Sequence, residues 1–277
     1  MNPLDLLMTT KNNHPELLIQ LEEGIAKLTS SGAWLDYLVF QSRFHRYSFG
    51  NVLLIAAQDH RATRVAGFQA WRKLNRVVRK GEKAIWILAP MMGKKASTSG
   101  GADETVIRGF KYVPVFDIAQ TEGPALPTVC RKLSGEDPQD FYGRFLAVAA
   151  SIGFRVEDHQ FGDTTNGDCS SSERRIRVEI HNSPAQRVKT LAHELAHALL
   201  HQHVEDRALA ELEAESTAYV VCREVGLDTS GYSFGYLAVW AGNGEEAIAG
   251  IKRSCDRIQK TAATILRHLE AEEEQAA

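Results

Sequence analysis

Five of the ten histidines lie between His181 and His203, and two of them frame the run His193-Glu194-Leu195-Ala196-His197. On a helix, residues four apart share one face. The two imidazoles can therefore offer ring nitrogens to a single metal ion. Glu194 stands one step round the helix, where its carboxylate can reach a water at the metal without being a ligand. Two helical histidines on zinc with an adjacent glutamate as base is an arrangement for peptide hydrolysis. His201 and His203 follow where the helix should end. They are read as hydrogen-bond partners or surface residues rather than ligands.

A catalytic zinc needs a third protein ligand and one open position. The stretch Glu211-Leu212-Glu213-Ala214-Glu215 supplies candidates. Glu211 and Glu215 are four apart and share a face, while Glu213 points elsewhere. Glu215, 18 residues after His197, is expected as the ligand. Glu211 is the alternative, or a partner behind the ligands. Small Ala218 would let the two helices approach.

The elements that hold these residues can be read from capping and periodicity. Ser183 is a good N-cap and Pro184 suits the first helical turn, so a helix should run from there to about His201. Val188, Leu191, Leu195 and Leu199 give it a buried face. A second helix is expected from about Asp206 to Val225, stopped by Gly226, and a third from Glu245 to Leu269. Upstream, Phe141 to Ile152 reads as a helix, and Arg155-Val156 and Arg175 to Ile180 as strands.

Length and charge set the wider frame. The 277 residues suggest about two domains at roughly 150 residues each. Four cysteines without a Cys-x-x-Cys pair are too sparse for a disulfide scaffold. No apolar run approaches membrane-spanning length and no secretory leader is visible, so a cytoplasmic location and no membrane partner are expected. The net charge of −3 conceals a division. Between Gln41 and Lys95 twelve basic residues face only Asp59 and Glu82, a net +10, which leaves −13 for the other 222 residues. Such asymmetry points to an anionic partner for one part of the chain.

That basic stretch is expected to hold helices over Pro15–Leu28, Trp34–Tyr47, Val52–Gln58 and Gly67–Leu74. Strands Lys83–Ala89 and Thr105–Phe116 should follow, joined by a long loop over 92–104. The Gly- and Pro-rich residues 123–139 read as a linker. The fold class is α+β. An N-terminal helical domain with a β-hairpin or small sheet (1–122) precedes a zincin-like domain with a C-terminal helix (140–277). Aromatic residues lie among the cations, the pairing by which single-stranded nucleic acid is bound: cations track phosphates and aromatic faces stack on bases. Phe68 and Trp86 are expected to be buried.

Family resemblances add to this reading. Thr190-Leu191-Ala192-His193-Glu194-Leu195-Ala196-His197 and the glutamate-rich helix resemble gluzincin-type metallopeptidases, in particular the ImmA/IrrE-like and ArdC-like peptidase domains, over roughly Phe141 to Gly242. The resemblance implies Zn2+ on His193, His197 and a glutamate, with Glu194 activating water for attack on a peptide carbonyl, and the strand Arg175 to Ile180 as the edge along which an extended peptide lies. Tyr47-Ser48-Phe49-Gly50-Asn51, Gly67-Phe68-Gln69-Ala70-Trp71, Val78-Arg79-Lys80-Gly81-Glu82-Lys83 and Val115-Phe116-Asp117-Ile118-Ala119-Gln120-Thr121 resemble the N-terminal domain of ArdC-type antirestriction proteins over Trp34 to Glu122. Leu74-Asn75-Arg76 departs from that pattern, where a glycine more often precedes the arginine.

The second resemblance implies single-stranded DNA binding in a protein carried by mobile elements and associated with protecting incoming DNA from restriction. Arg72, Lys73, Arg76, Arg79, Lys80 and Lys83 are the phosphate-contact candidates, and Trp71 and Tyr47 the stacking candidates. Ser48 and Asn51 are candidates for DNA contact or for local capping. The leading expectation is a single-stranded-DNA-binding zinc peptidase of antirestriction type. Its substrate would be a protein or peptide, such as a DNA-bound protein. The alternatives are a DNA-binding antirestriction protein with a structural or inactive zinc site, and a protease of ImmA/IrrE type that cleaves a specific repressor.

Overall fold

A computed structural model describes residues 15–28, 31–44, 46–95, 104–125, 140–201, 206–227 and 245–276. Eight helices are described: α1 (Pro15–Lys27), α2 (Ser31–Ser42), α3 (Phe49–Gln58), α4 (Phe68–Lys73), α5 (Phe141–Ser151), α6 (Pro184–Leu200), α7 (Arg207–Glu224) and α8 (Glu245–Ala276). The strands are β1 (Val65–Ala66), β2 (Val77–Val78), β3 (Ile85–Lys95), β4 (Glu104–Asp117), β5 (Thr121–Glu122), β6 (Arg155–His159), β7 (Gly167–Ser170) and β8 (Arg175–Glu179). The mixture of helices and small sheets is α+β. No helix among the described residues is long and apolar enough to cross a membrane. Most of the expected linker, residues 126–139, lies outside the described residues, as do His203 and the tip of the expected long loop.

Backbone contacts divide the chain into two compact units. One comprises residues up to Gly24 together with Gly50–Leu126; the other comprises Ile25–Phe49 and Pro127–Ala277. Residues Ile25–Phe49, read from the sequence as part of the first domain, thus pack with the second unit.

In the first unit β3 and β4 form a long antiparallel ribbon, and β1 pairs with the far side of β4. The strands extend to Lys95 and from Glu104, so part of the stretch read as loop is paired strand, with a register shift between Met91 and Met92. Leu54, Ile55, Trp71, Ile85 and Val115 form the core. Helix α3 meets the outer edge of β3 through two side-chain amides. Asn51 Nδ2 donates to the Leu88 carbonyl and its Oδ1 accepts from Leu88 N, both at 2.8 Å. One strand period earlier Gln58 does the same to Trp86, at 2.9 Å each way. The amides mimic a neighbouring strand at alternate residues. The next residue in that alternation is Pro90, which has no N–H to offer.

In the second unit β8 lies between β6, parallel to it, and β7, antiparallel. The strand expected to be the substrate edge is therefore the central one. The edges are β6 and β7, the latter a short polar strand (Gly-Asp-Cys-Ser) without the apolar alternation that marks strands in sequence. Helix α6 packs against β7, β8 and α7. Its start is fixed by Ser183, whose hydroxyl accepts from Gln186 N at 3.3 Å, with Pro184 in the first turn. Its end falls at Leu200 with His201 as C-cap. Helix α7 is capped by Asp206, which accepts from Leu209 N at 3.1 Å. Most of its residues from Ala210 to Cys222 are buried on every side, as expected of a helix enclosed by others. Trp34 of α2 donates to Ser216 Oγ at 3.1 Å, tying α2 to α7.

Candidate metal centre and candidate nucleic-acid face

Val188, Leu191, Leu195 and Ala198 turn one face of α6 into the core, which leaves His193 and His197 on another face, opposite α7. Their Nε2 atoms lie 3.0 Å apart. Glu211 Oε2, from α7, is 3.4 Å from His193 Nε2 and 3.7 Å from His197 Nε2. Three donors on a tetrahedral ion with bonds of about 2.0–2.1 Å would stand roughly 3.3 Å apart. The three side chains could hold a metal ion, and their spacing is that of donors around one. The carboxylate that comes together with the two histidines is that of Glu211, the residue named as alternative. Glu215, expected as the ligand, sits one turn further and meets the back of His193, its Oε2 3.1 Å from Nδ1. Such a carboxylate would orient the ring and fix which nitrogen carries the proton.

Electrostatics agree with a cation at this point. Burial disfavours a charged His193, but the hydrogen-bonded carboxylates of Glu211 and Glu215 outweigh it and raise its pKa to about 10. Hydrogen bonds from His193 and His197 hold the Glu211 carboxyl far below the usual carboxylate range. Glu194 is buried, and that burial pushes its pKa up to about 7 against the opposing charge of His193. A carboxylate poised near neutrality suits a group that takes up and returns a proton.

These side chains line a cleft of about 900 Å³ whose other wall is β7 and the turn before it, with Asn166, Asp168 and Cys169. Gly167 permits the approach. A Cβ there would stand 2.5 Å from Thr190 Cγ2, 3.0 Å from the Arg177 carbonyl and 3.1 Å from Glu194 Oε1. Asp168 is also paired with Arg177. Glu179 accepts backbone N–H bonds from Phe161 at 2.7 Å and His181 at 3.0 Å, ordering the entry to α6. Sequence reasoning missed β7, Gly167 and Asp168 altogether. The one available signal was a glycine immediately followed by polar residues between two readable strands.

The candidate DNA residues fare unevenly. Trp71 is only 1% exposed, and its ring N–H donates to the Phe116 carbonyl at 2.9 Å; it is core, not a stacking surface. Arg76 is 8% exposed and spends its guanidinium on Thr121 and on the carbonyls of Gly123 and Pro124. Asn51 is committed to β3. These three expectations are corrected for one reason: each side chain is used up by its own fold. Arg79 is bound to Glu82 at 2.6 Å and to the Ala119 carbonyl at 2.6 Å. Arg72, Lys73, Lys80 and Lys83 are exposed. Phe68, expected to be buried, is 42% exposed, with the Arg72 guanidinium 5.8 Å from its ring centre. Tyr47 is half-buried against Phe44 and Ser48 is exposed; both belong to the second unit.

Two family models match successive parts of the chain. Residues 14–116 match the family described as the N-terminal domain of anti-restriction factor ArdC. Residues 149–222 match the family described as the IrrE N-terminal-like domain. An uncharacterized protein of Bacillus anthracis is 26% identical across 92% of this chain and 51% of its own length. The chain thus spans about half the length of that relative. The metal-free crystal structure of the antirestriction protein ArdC from plasmid R388 aligns with a TM-score of 0.51 and 22% identity, covering 81% of this chain and 86% of that one. That likeness shows a shared fold. The chain therefore joins an ArdC-type N-terminal domain to an IrrE-like domain of the M78 peptidase type.

Proposed function

We propose that this protein is a zinc metallopeptidase that binds single-stranded DNA and acts in the antirestriction setting of ArdC-type proteins. The observation that carries the peptidase reading is the convergence of His193 Nε2, His197 Nε2 and Glu211 Oε2 within 3.0–3.7 Å beside a buried Glu194. Zinc, when bound, supplies Lewis acidity that acidifies water and polarises a peptide carbonyl. Glu194 takes the proton from the attacking water and delivers it to the leaving amine. The edge of β7 pairs with an extended stretch of protein substrate and holds its backbone across the cleft. Gly167 keeps that edge close to Glu194.

The DNA-binding reading rests on the first unit, where Phe68 offers an exposed ring beside Arg72. Lys73, Lys80 and Lys83 are further phosphate contacts. Tyr47 and Ser48 remain candidates on the second unit. Binding should favour an unpaired oligonucleotide over its duplex and weaken steeply with salt.

The peptidase test compares the zinc-loaded protein with Glu194→Gln on a protein substrate, with and without single-stranded DNA. Glu194→Gln should retain zinc and lose about 10²–10⁴-fold in cleavage rate. Equal cleavage by parent and variant would remove the peptidase reading. A parent that binds zinc and DNA but cleaves nothing would leave the DNA-binding protein with a structural metal site.

A further inference from the structure

A line of buried polar side chains runs from His197, at the cleft, to α8. His197 Nδ1 lies 3.0 Å from His201 Nδ1, and His201 Nε2 lies 3.0 Å from Glu213 Oε2. The other Glu213 oxygen accepts the Ser254 hydroxyl at 2.7 Å. Arg257 contacts Glu213 Oε2 at 3.2 Å and also donates to the Leu200 carbonyl at the end of α6, at 2.9 Å. The side chains of His201 and Glu213 are 5% and 1% exposed. Glu213 was the glutamate that pointed away from its two neighbours, and the peptidase chemistry makes no use of it.

The direction of each hydrogen bond follows from what each group can donate. Ser254 and Arg257 both donate to Glu213, so Glu213 is the acceptor. A neutral His201 then donates through Nε2 and keeps a lone pair on Nδ1. That lone pair accepts from His197 Nδ1–H. His197 consequently keeps its free lone pair on Nε2, the nitrogen that faces His193 and Glu211.

We infer that His201 and Glu213, anchored by Ser254 and Arg257 of α8, are positioning residues that fix the tautomer and ring orientation of His197 for metal binding. The inference rests on the proposed metal site and deepens it. The two histidines are served differently. His193 Nδ1 meets the Glu215 carboxylate directly, whereas His197 reaches its carboxylate through a second imidazole. The C-terminal helix thereby becomes part of the metal site without supplying a ligand.

The test measures zinc affinity by chelator competition on the full chain, the visible spectrum of the cobalt(II)-loaded form, and thermal unfolding of the metal-free form. His201→Leu removes acceptor and donor together and should weaken zinc binding about 10–100-fold and alter the cobalt bands. His201→Gln offers an amide oxygen to His197 and an amide N–H to Glu213, and should recover most of the affinity and the parental spectrum. Ser254→Ala, at the far end, should weaken zinc binding in the same direction by about tenfold or less. Parental affinity and spectrum in His201→Leu, or no recovery in His201→Gln, would overturn the positioning role while the metal site stands. A parent chain that binds no zinc would overturn the metal site and this inference with it. If His201→Leu fails to fold, Ser254→Ala decides: a loss of affinity supports the relay, and parental affinity refutes it.

Discussion

The two units treat their most conspicuous side chains in opposite ways. In the second unit the residues whose types suggested chemistry converge on one cleft. In the first, Trp71, Arg76 and Asn51 suggested recognition and instead hold the unit together. The difference is geometric. His193 and His197 were read from a fixed interval on a helix, which prescribes a shared face. The basic and aromatic residues were read from composition and a family resemblance, neither of which says where a side chain points. Trp71 and Phe68 are three residues apart in α4, yet one is sealed in the core and the other stands in solvent.

The largest effects that could break this contrast lie at the metal centre. Glu211→Ala removes a proposed donor and should lower zinc affinity by more than 100-fold, whereas Glu215→Gln leaves all three donors and should cost about 10–100-fold. Metal titrations that rank the two substitutions the other way would restore Glu215 as ligand. In the first unit Trp71→Ala should destabilise folding by about 3–5 kcal/mol. Phe68→Ala should barely move the denaturation midpoint yet cost about 1–3 kcal/mol in affinity for a single-stranded oligonucleotide. Unchanged affinity in Phe68→Ala would count against base stacking there. Asn51→Ala orphans the Leu88 N–H and carbonyl and should cost about 1–3 kcal/mol in stability while leaving DNA affinity untouched, as urea melts and binding isotherms would reveal.

The smallest effect expected is an absence of reaction. Cys169 lies in the cleft, and burial, reinforced by the charges of Glu194 and Asp168, pushes its thiol up to about 12. At pH 8 the thiolate is then on the order of one part in 10⁴. Iodoacetamide should leave Cys169 unmodified at that pH, with labelling rising only as the medium becomes strongly alkaline. Rapid labelling at pH 8 would contradict this environment.

Much of the helical frame was legible because caps and periodicity are local. Ser183, Pro184 and Asp206 mark their helix starts as the sequence suggested. The sheet beside the site was not, because β7 is four residues of mixed polarity whose strand character comes from pairing with β8 and packing on α6. The choice between Glu211 and Glu215 was equally hidden. Both lie on the right face of α7, and only the longitudinal offset of α7 against α6 decides which carboxylate meets the open side of the histidines and which the back. The partition of Ile25–Phe49 escaped for a related reason: helix boundaries are written in sequence, but the surface a helix buries against is not.

The amides of Asn51 and Gln58 have a consequence beyond hydrogen bonding within one chain. A long strand at the margin of a sheet is a template on which other chains can assemble, and proteins that carry one must blunt it. Here eleven residues of β3 would offer such a template. The two amides and Pro90 occupy or abolish successive bonding positions along its first half. The four-residue β7 has no comparable amide cover among the described residues. The protein thus guards one strand margin against self-association and leaves β7, on the proposed substrate cleft, without that cover.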